Sequence, residues 1–195
     1  MSMDVSKLSG AAKRYFELIE FDADEELVAE VRKHPFGLII VYATGFFIGL
    51  TVLIVLALVS VYLSGDPLAT GADTIGLETA IVVVGIILEV GILIGTAIAG
   101  YLYKSNIIFV TSDKLAQVLY TSIFNRKISQ LSLGDIQDVT VTQDGIFPRI
   151  FNYGTVVIET AGEQNNYIFT YTPFPYQVSK DIVGAHERNL QRYGN

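Results

Sequence analysis

The chain has 195 residues, no Cys, no Trp, a net charge of −7 and a hydrophobic fraction of 51%. Without Cys there are no disulfides, no thiolate metal sites and no Cys nucleophile. The charge is unevenly spread: residues 37–103 hold four acids and no Lys or Arg, whereas residues 104–195 hold eight acids and eight bases. A neutral C-terminal half argues against nucleic acid as a partner, because phosphate binding needs a basic surface.

The acidic N-terminal segment, residues 1–36, comes first. Leu8–Ile19 reads as a short amphipathic helix with Ala11, Tyr15, Leu18 and Ile19 on one side, lying on a membrane or on a folded domain. Leu27–Lys33 alternates apolar and polar residues and reads as a strand able to join a later sheet.

Two apolar runs follow, Gly37–Leu63 and Leu77–Tyr103. About 20 apolar residues cross the hydrocarbon core, so each run suffices with some tilt. Both are apolar on every face, unlike the helices of a soluble protein. The first run starts too late and is too long for a cleaved signal peptide. Arg32, Lys33 and His34 precede the first run and Lys104 follows the second, while the loop Ser64–Gly76 has no base. The positive-inside rule then predicts an external loop and two cytoplasmic termini.

Within the runs, Gly45 and Gly49 lie at the same depths as Gly95 and Gly91, roughly 12 and 18 Å from the cytoplasmic ends. Small residues at four-residue spacing let helix backbones approach, so the hairpin is expected to close through these patches. Glu89 lies roughly 21 Å deep, where an ionisable group is a functional hypothesis by default. It shares a stripe with Glu78, Gly85 and Thr96, about 100° from the Gly91/Gly95 face. Either this stripe meets another subunit, or Glu89 is tolerated by local water or by pairing within the hairpin.

After Lys104 the pattern turns to alternation. Strands are predicted at Asn106–Thr111, Leu115–Thr121, Arg126–Leu131, Ile136–Gln143, Thr155–Thr160 and Asn166–Thr172, separated by turn signals such as Asp144-Gly145. Pro175–Arg192 reads as a closing helix. The predicted class is α+β: a membrane hairpin plus a β-rich barrel or sandwich closed by a C-terminal helix. In domain terms, 1–36 is an N-terminal segment, 37–63 and 77–103 are spans, 64–76 is the loop and 104–195 is the β-domain.

Ile128, Leu131, Leu133, Ile136, Asp138 and Val139, followed by Gly154, Val156, Ile158 and Thr160, fall at a recognisable spacing. With the "IIFVTSDKL" opening at Ile107–Leu115, they resemble bacterial PH-like membrane proteins of the YdbS type. The resemblance covers roughly residues 22–185. It implies a pleckstrin-homology-like barrel on a bacterial inner-membrane protein, from a family with no agreed catalytic residues.

Candidate contacts are few. Ile146, Phe147, Ile150 and Phe151 form an apolar cluster read as a loop extending the Asp144-Gly145 turn. Arg126, Lys127 and Arg149 are candidates for anionic headgroups, joined by Arg32, Lys33 and Lys104. Asp135 and Asp138 read as turn and cap residues. His34 and His186 are remote and lack Cys partners, so no metal site is expected. No G-x-x-x-x-G-K-[ST], G-x-S-x-G or H-E-x-x-H is present. The sequence therefore predicts a non-enzymatic, cofactor-free, membrane-anchored binding or scaffold module whose ligand is a protein or peptide captured on a sheet edge, or lipid headgroups. Its expected partners are membrane lipids and a second copy or another membrane protein. The alternative is a subunit of a multi-component export or stress-resistance system with Glu89 in a helix–helix interface.

Overall fold

The computed structural model describes residues 25–64, 71–160 and 166–194, with residues 13, 15, 18, 19 and 21 of the N-terminal segment. Much of the predicted Leu8–Ile19 helix and of the Ser64–Gly76 loop lies outside the described residues. The chain divides into two compact units, one of Met1–Gly37 with Leu102–Asn195 and one of Leu38–Tyr101.

In chain order the elements are β1 (Leu27–Arg32), α1 (Pro35–Ser64), α2 (Gly71–Ser105), β2 (Ile107–Thr111), β3 (Lys114–Tyr120) and β4 (Arg126–Ser132), then β5 (Ile136–Thr142), α3 (Ile146–Phe151), β6 (Tyr153–Thr160), β7 (Tyr167–Pro173) and α4 (Pro175–Tyr193). A single 3₁₀ turn, Leu133–Asp135, joins β4 to β5. The strands form two antiparallel sheets in the orders β1-β2-β3-β4 and β5-β6-β7. The fold is α+β, with a PH-like domain. Its first strand precedes both apolar helices: Arg32 pairs with Ile107 and Val31 with Ile108. The hairpin is thus an insertion between two hydrogen-bonded neighbours, and residues from both sides of it build one sheet.

β2 shows why the first sheet is thick. Ile108 and Val110 face the main core with Leu115, Leu131, Val156, Ile158 and Phe169, and Ile182 and Ala185 of α4 seal it. Ile107 and Phe109 point the other way, into a second cluster with Ala116, Val118, Tyr15 and Ile19. Period-2 alternation therefore buries both faces of β2. Tyr15 and Ile19 settle part of the N-terminal expectation: both are buried against the sheet, with Tyr15 and Tyr120 rings 5.9 Å apart.

Glu25 anchors the start of β1. Its carboxylate is fully buried, accepts the Thr111 hydroxyl and pairs with Lys114 Nζ at 3.4 Å. At the other end of β6, Gly154 is needed for space. A Cβ there would sit 2.6 Å from the Thr142 carbonyl oxygen and 2.9 Å from Gln143 Cγ. Gly145 has φ 99°, in the left-handed region that glycine favours.

The second unit consists of two helices, each long and apolar enough to cross a membrane, at Pro35–Leu63 and Gly76–Ser105. They do not close as expected through matched small patches. A Cβ on Gly45 would overlap Thr96, one on Gly49 would lie 2.9 Å from Glu89 Oε2, and one on Gly85 would lie 2.9 Å from Leu56 Cδ1. Among the described residues, nothing approaches Gly91 or Gly95 within 4 Å. Each packed glycine is a notch that admits a larger side chain from the facing helix. This gives more dispersion contact than glycine against glycine. The Glu89–Gly85–Thr96 stripe consequently faces inward to α1, and the Gly91/Gly95 face points away.

Candidate functional site

The end of the PH-like domain where the apolar helices leave is built from aromatic residues. His34 caps α1: its Nδ1 accepts the Phe36 N–H at 3.1 Å, ahead of Pro35 in the first helical position. The His34 N–H bonds the Tyr171 carbonyl at 2.5 Å, and the Tyr103 hydroxyl donates to the His34 carbonyl at 2.6 Å. Tyr171 reaches this position by a kink in β7. Its φ is 56°, and the β6–β7 register slips between Gly154 and Val156. A bulge of this kind re-aims a side chain at the cost of local strain.

From there a row of rings runs across the face. Tyr103 lies 5.9 Å from Tyr171, Tyr171 5.4 Å from Tyr153, and Tyr153 5.1 Å from Phe36. Phe36 in turn stacks on Phe151 at 4.9 Å and Phe147 at 5.6 Å. Such pairs contribute about 0.5–1.5 kcal/mol each beyond their area. The row fixes where β1 turns into α1.

Ile146–Phe151 is a short helix, α3, and not the extended hairpin turn that the Asp144-Gly145 signal implied. Asn152 ends it with φ 52° and donates its N–H to the Pro148 carbonyl. One side of α3 rests on Phe36. Ile146, Phe147, Ile150 and Phe151 remain exposed, as does Arg149. Beside α3 a cleft of about 430 Å³ is lined by Thr142, Thr155, Thr170 and Tyr171.

The bases divide into two groups. Arg32 is tied to Glu30 at 2.8 Å. Lys33 Nζ donates to Thr170 Oγ1 at 3.2 Å and sits 5.4 Å above the Tyr103 ring, and burial lowers its pKa. Arg126 and Lys127 stand exposed where β4 begins, Arg149 is exposed on α3, and Lys104 is exposed in the last turn of α2. The structure brings Ile146, Phe147, Arg149 and Phe151 onto one helix and leaves Arg126 and Lys127 on a separate hairpin. A larger cleft of about 580 Å³, at the opposite end near α4, is lined by Asp113, Lys114, Asp135 and Asn189.

Asp135 and Asp138 play local roles. Asp135 closes the 3₁₀ turn, and Asp138 accepts the Val139 N–H at 2.8 Å and the Thr140 hydroxyl at 3.0 Å. His186 Nδ1 lies 2.5 Å from the Leu133 carbonyl and so carries the proton there. Among the described residues, no three acids or imidazoles converge on a metal position.

Desolvation lowers the His34 pKa, and its acceptor role requires the neutral ring. Below the unfolded value of about 6.5, the unfolded chain takes up the proton first. The cap's stabilisation is therefore complete above about pH 6.5 and is lost as pH falls through the lowered folded pKa. Thermal unfolding should show a melting temperature that drops on this acid limb. His34→Asn retains a side-chain acceptor without a titrating ring, so its drop should be smaller; identical slopes would refute the cap's role.

Within the hairpin unit, Glu89 Oε1 is buried and has no hydrogen-bond partner among the described residues. It borders an apolar groove of about 460 Å³ lined by Leu53, Leu56, Ala57, Gly85 and Ile86.

Among the described residues, seven strands in a four-plus-three arrangement closed by a C-terminal helix define a PH-like domain. The family model for the bacterial PH domain matches residues 36–181, and the chain belongs to that family. No curated protein and no solved structure matches it. PH-like domains are in general non-catalytic binding modules, which supports a binding or scaffold role here.

Proposed function

We propose that the protein is a non-enzymatic, two-span membrane protein whose PH-like domain binds anionic lipid headgroups at the cytoplasmic leaflet. The single observation behind this reading is the face around α3. It combines exposed Ile146, Phe147, Ile150 and Phe151 with Arg149, and it adjoins Phe36 at the start of the first apolar helix. An apolar face edged by base suits the boundary between headgroups and acyl chains. Lys and Arg at 32, 33 and 104, with none from 37 to 103, support cytoplasmic termini.

The domain is testable on its own by splicing. Arg32 and Ile107 are paired neighbours, so a short Gly-Ser turn replacing Leu38–Tyr101 would join β1 to β2 directly. The spliced protein should float with vesicles rich in phosphatidylglycerol at low salt and be released by salt. Absence from those vesicles at low salt would refute headgroup binding.

Glu89 favours a second reading, in which the hairpin is a subunit of a larger membrane assembly. A carboxyl oxygen buried in an apolar unit with no partner among the described residues is costly, and the groove it borders leaves room for one from outside. On this reading Glu89→Gln changes the set of proteins crosslinked to the full chain in native membranes. An unchanged, strictly monomeric pattern for both forms counts against it.

A further inference from the structure

We infer that the Thr121–Asn125 tip of the β3–β4 hairpin is a second membrane contact, inserting Phe124 and Ile123 into the headgroup boundary of the leaflet where the apolar helices end. This rests on the reading that those helices span the membrane.

Phe124 is 93% exposed, the most exposed large apolar side chain of the described residues, and Ile123 beside it is 47% exposed. Phe is ordinarily among the more buried residue types. The tip lies at the end of the domain where the chain passes from α2 into β2. The Tyr120 N–H donates to Asn106 Oδ1 at 2.7 Å, and Asn106 directly follows Ser105, the last residue of α2. β2 runs away from that point and β3 runs back to it, so the tip continues past it. Phe124 lies in the bend beyond the last strand pair, Tyr120–Arg126.

The backbone of the tip is also prepared for a dry environment. The N–H groups of Thr121 and Ser122 both donate to the Asn125 carbonyl, at 3.1 and 3.3 Å. Those of Phe124 and Asn125 donate to Ser122 Oγ, at 3.3 and 3.0 Å. Four of the tip's five N–H groups are therefore satisfied within the tip, as a segment leaving water requires. Arg126 and Lys127 follow at once, exposed, and Lys104 is exposed one residue before Ser105. Their charge matches an anionic leaflet and places the bases at headgroup level when the two apolar residues enter. A protein partner would need a complementary acidic collar, whereas on the reading that α1 and α2 span the membrane a bilayer adjoins the end of the domain from which they leave.

The chain contains no Trp, so Phe124→Trp makes the tip its sole indole. The full chain is reconstituted in phosphatidylcholine–phosphatidylglycerol vesicles, with and without acyl-brominated lipid. Tyr193→Trp serves as reference, because Tyr193 bonds Asp113 in the β2–β3 turn at the far end of the hairpin. The expected result is blue-shifted emission at position 124, strong quenching by brominated lipid, and acrylamide quenching several-fold weaker than at position 193. Ile123→Trp should give the same pattern and guards against a local distortion in one variant.

Acrylamide quenching equal to the reference with no effect of brominated lipid overturns the inference. So does acrylamide protection without lipid quenching, which would mean a protein covers the tip. Lipid quenching that persists in pure phosphatidylcholine supports insertion and counts against headgroup binding. Loss of lipid quenching at positions 123 and 124, with flotation of the spliced domain retained, overturns insertion alone.

Discussion

Replacing Arg126, Lys127 and Arg149 by Gln in the spliced domain should lower its partitioning onto anionic vesicles by about two orders of magnitude. Each base near an anionic leaflet contributes about 1 kcal/mol, and 1.4 kcal/mol is a factor of ten. All three are exposed and on the end of the domain where the apolar helices leave. Because the interaction is screened, the gap between the two proteins should close as salt rises. Arg32 and Lys33 are a control within the same basic stretch. They are held by Glu30, by Thr170 and over the Tyr103 ring, so they add less to leaflet attraction. Their neutralisation should act on stability before it acts on partitioning. Flotation across a salt series measures this, and equal partitioning of the triple variant at low salt would end the headgroup reading.

Lys114→Met should be the most damaging single change to the PH-like domain. Glu25 is fully buried and its ion pair with Lys114, at 3.4 Å, balances a charge removed from water. Lys114 itself is only 18% exposed at its side chain. Breaking a buried pair from one side costs about 3–5 kcal/mol, because the other charge stays behind. The Thr111 hydroxyl still donates to Glu25 and softens the loss. A value near 3 kcal/mol lowers the melting temperature by on the order of 10 °C for a domain of this size. Glu25→Gln combined with Lys114→Met should recover most of that loss, since no charge is then stranded. Thermal unfolding in detergent micelles measures both. A double variant as unstable as the single would show that packing, and not charge, decides this site.

Most strands were legible in the sequence because a sheet with one packed face imposes period 2, whereas β2, buried on both faces, reads as a short apolar run. Ile107–Thr111, Arg126–Ser132 and Ile136–Thr142 stand within a residue of their expected bounds. Gly154 stands in the family spacing, and the Thr142 carbonyl explains why no side chain fits there. α3 was not legible, since six residues after a Gly turn carry no helical period. The hairpin contacts were misread for a related reason. Spacing locates small residues, but it does not say whether the facing helix offers a glycine or a knob such as Thr96 or Glu89. The Phe124 tip was missed because two apolar residues in a turn carry no periodicity; only their exposure and the Asn106–Tyr120 hydrogen bond reveal it.

The sequence by itself determined what is local or additive. The two apolar runs follow from summed hydropathy, the strands from alternation, the family from the spacing of Ile, Leu, Val and Gly between 107 and 160, and the lack of thiol chemistry from composition. Tertiary structure alone decided what depends on meeting across long separations. It paired β1 with β2 around 70 intervening residues or more, drew Lys33 out of the basic patch and turned Glu89 inward. It also gathered Phe36, Phe147, Phe151 and Tyr153 into one stack at the base of the helices. Each is set by the shape and chemistry of a distant neighbour, which no window along the chain contains.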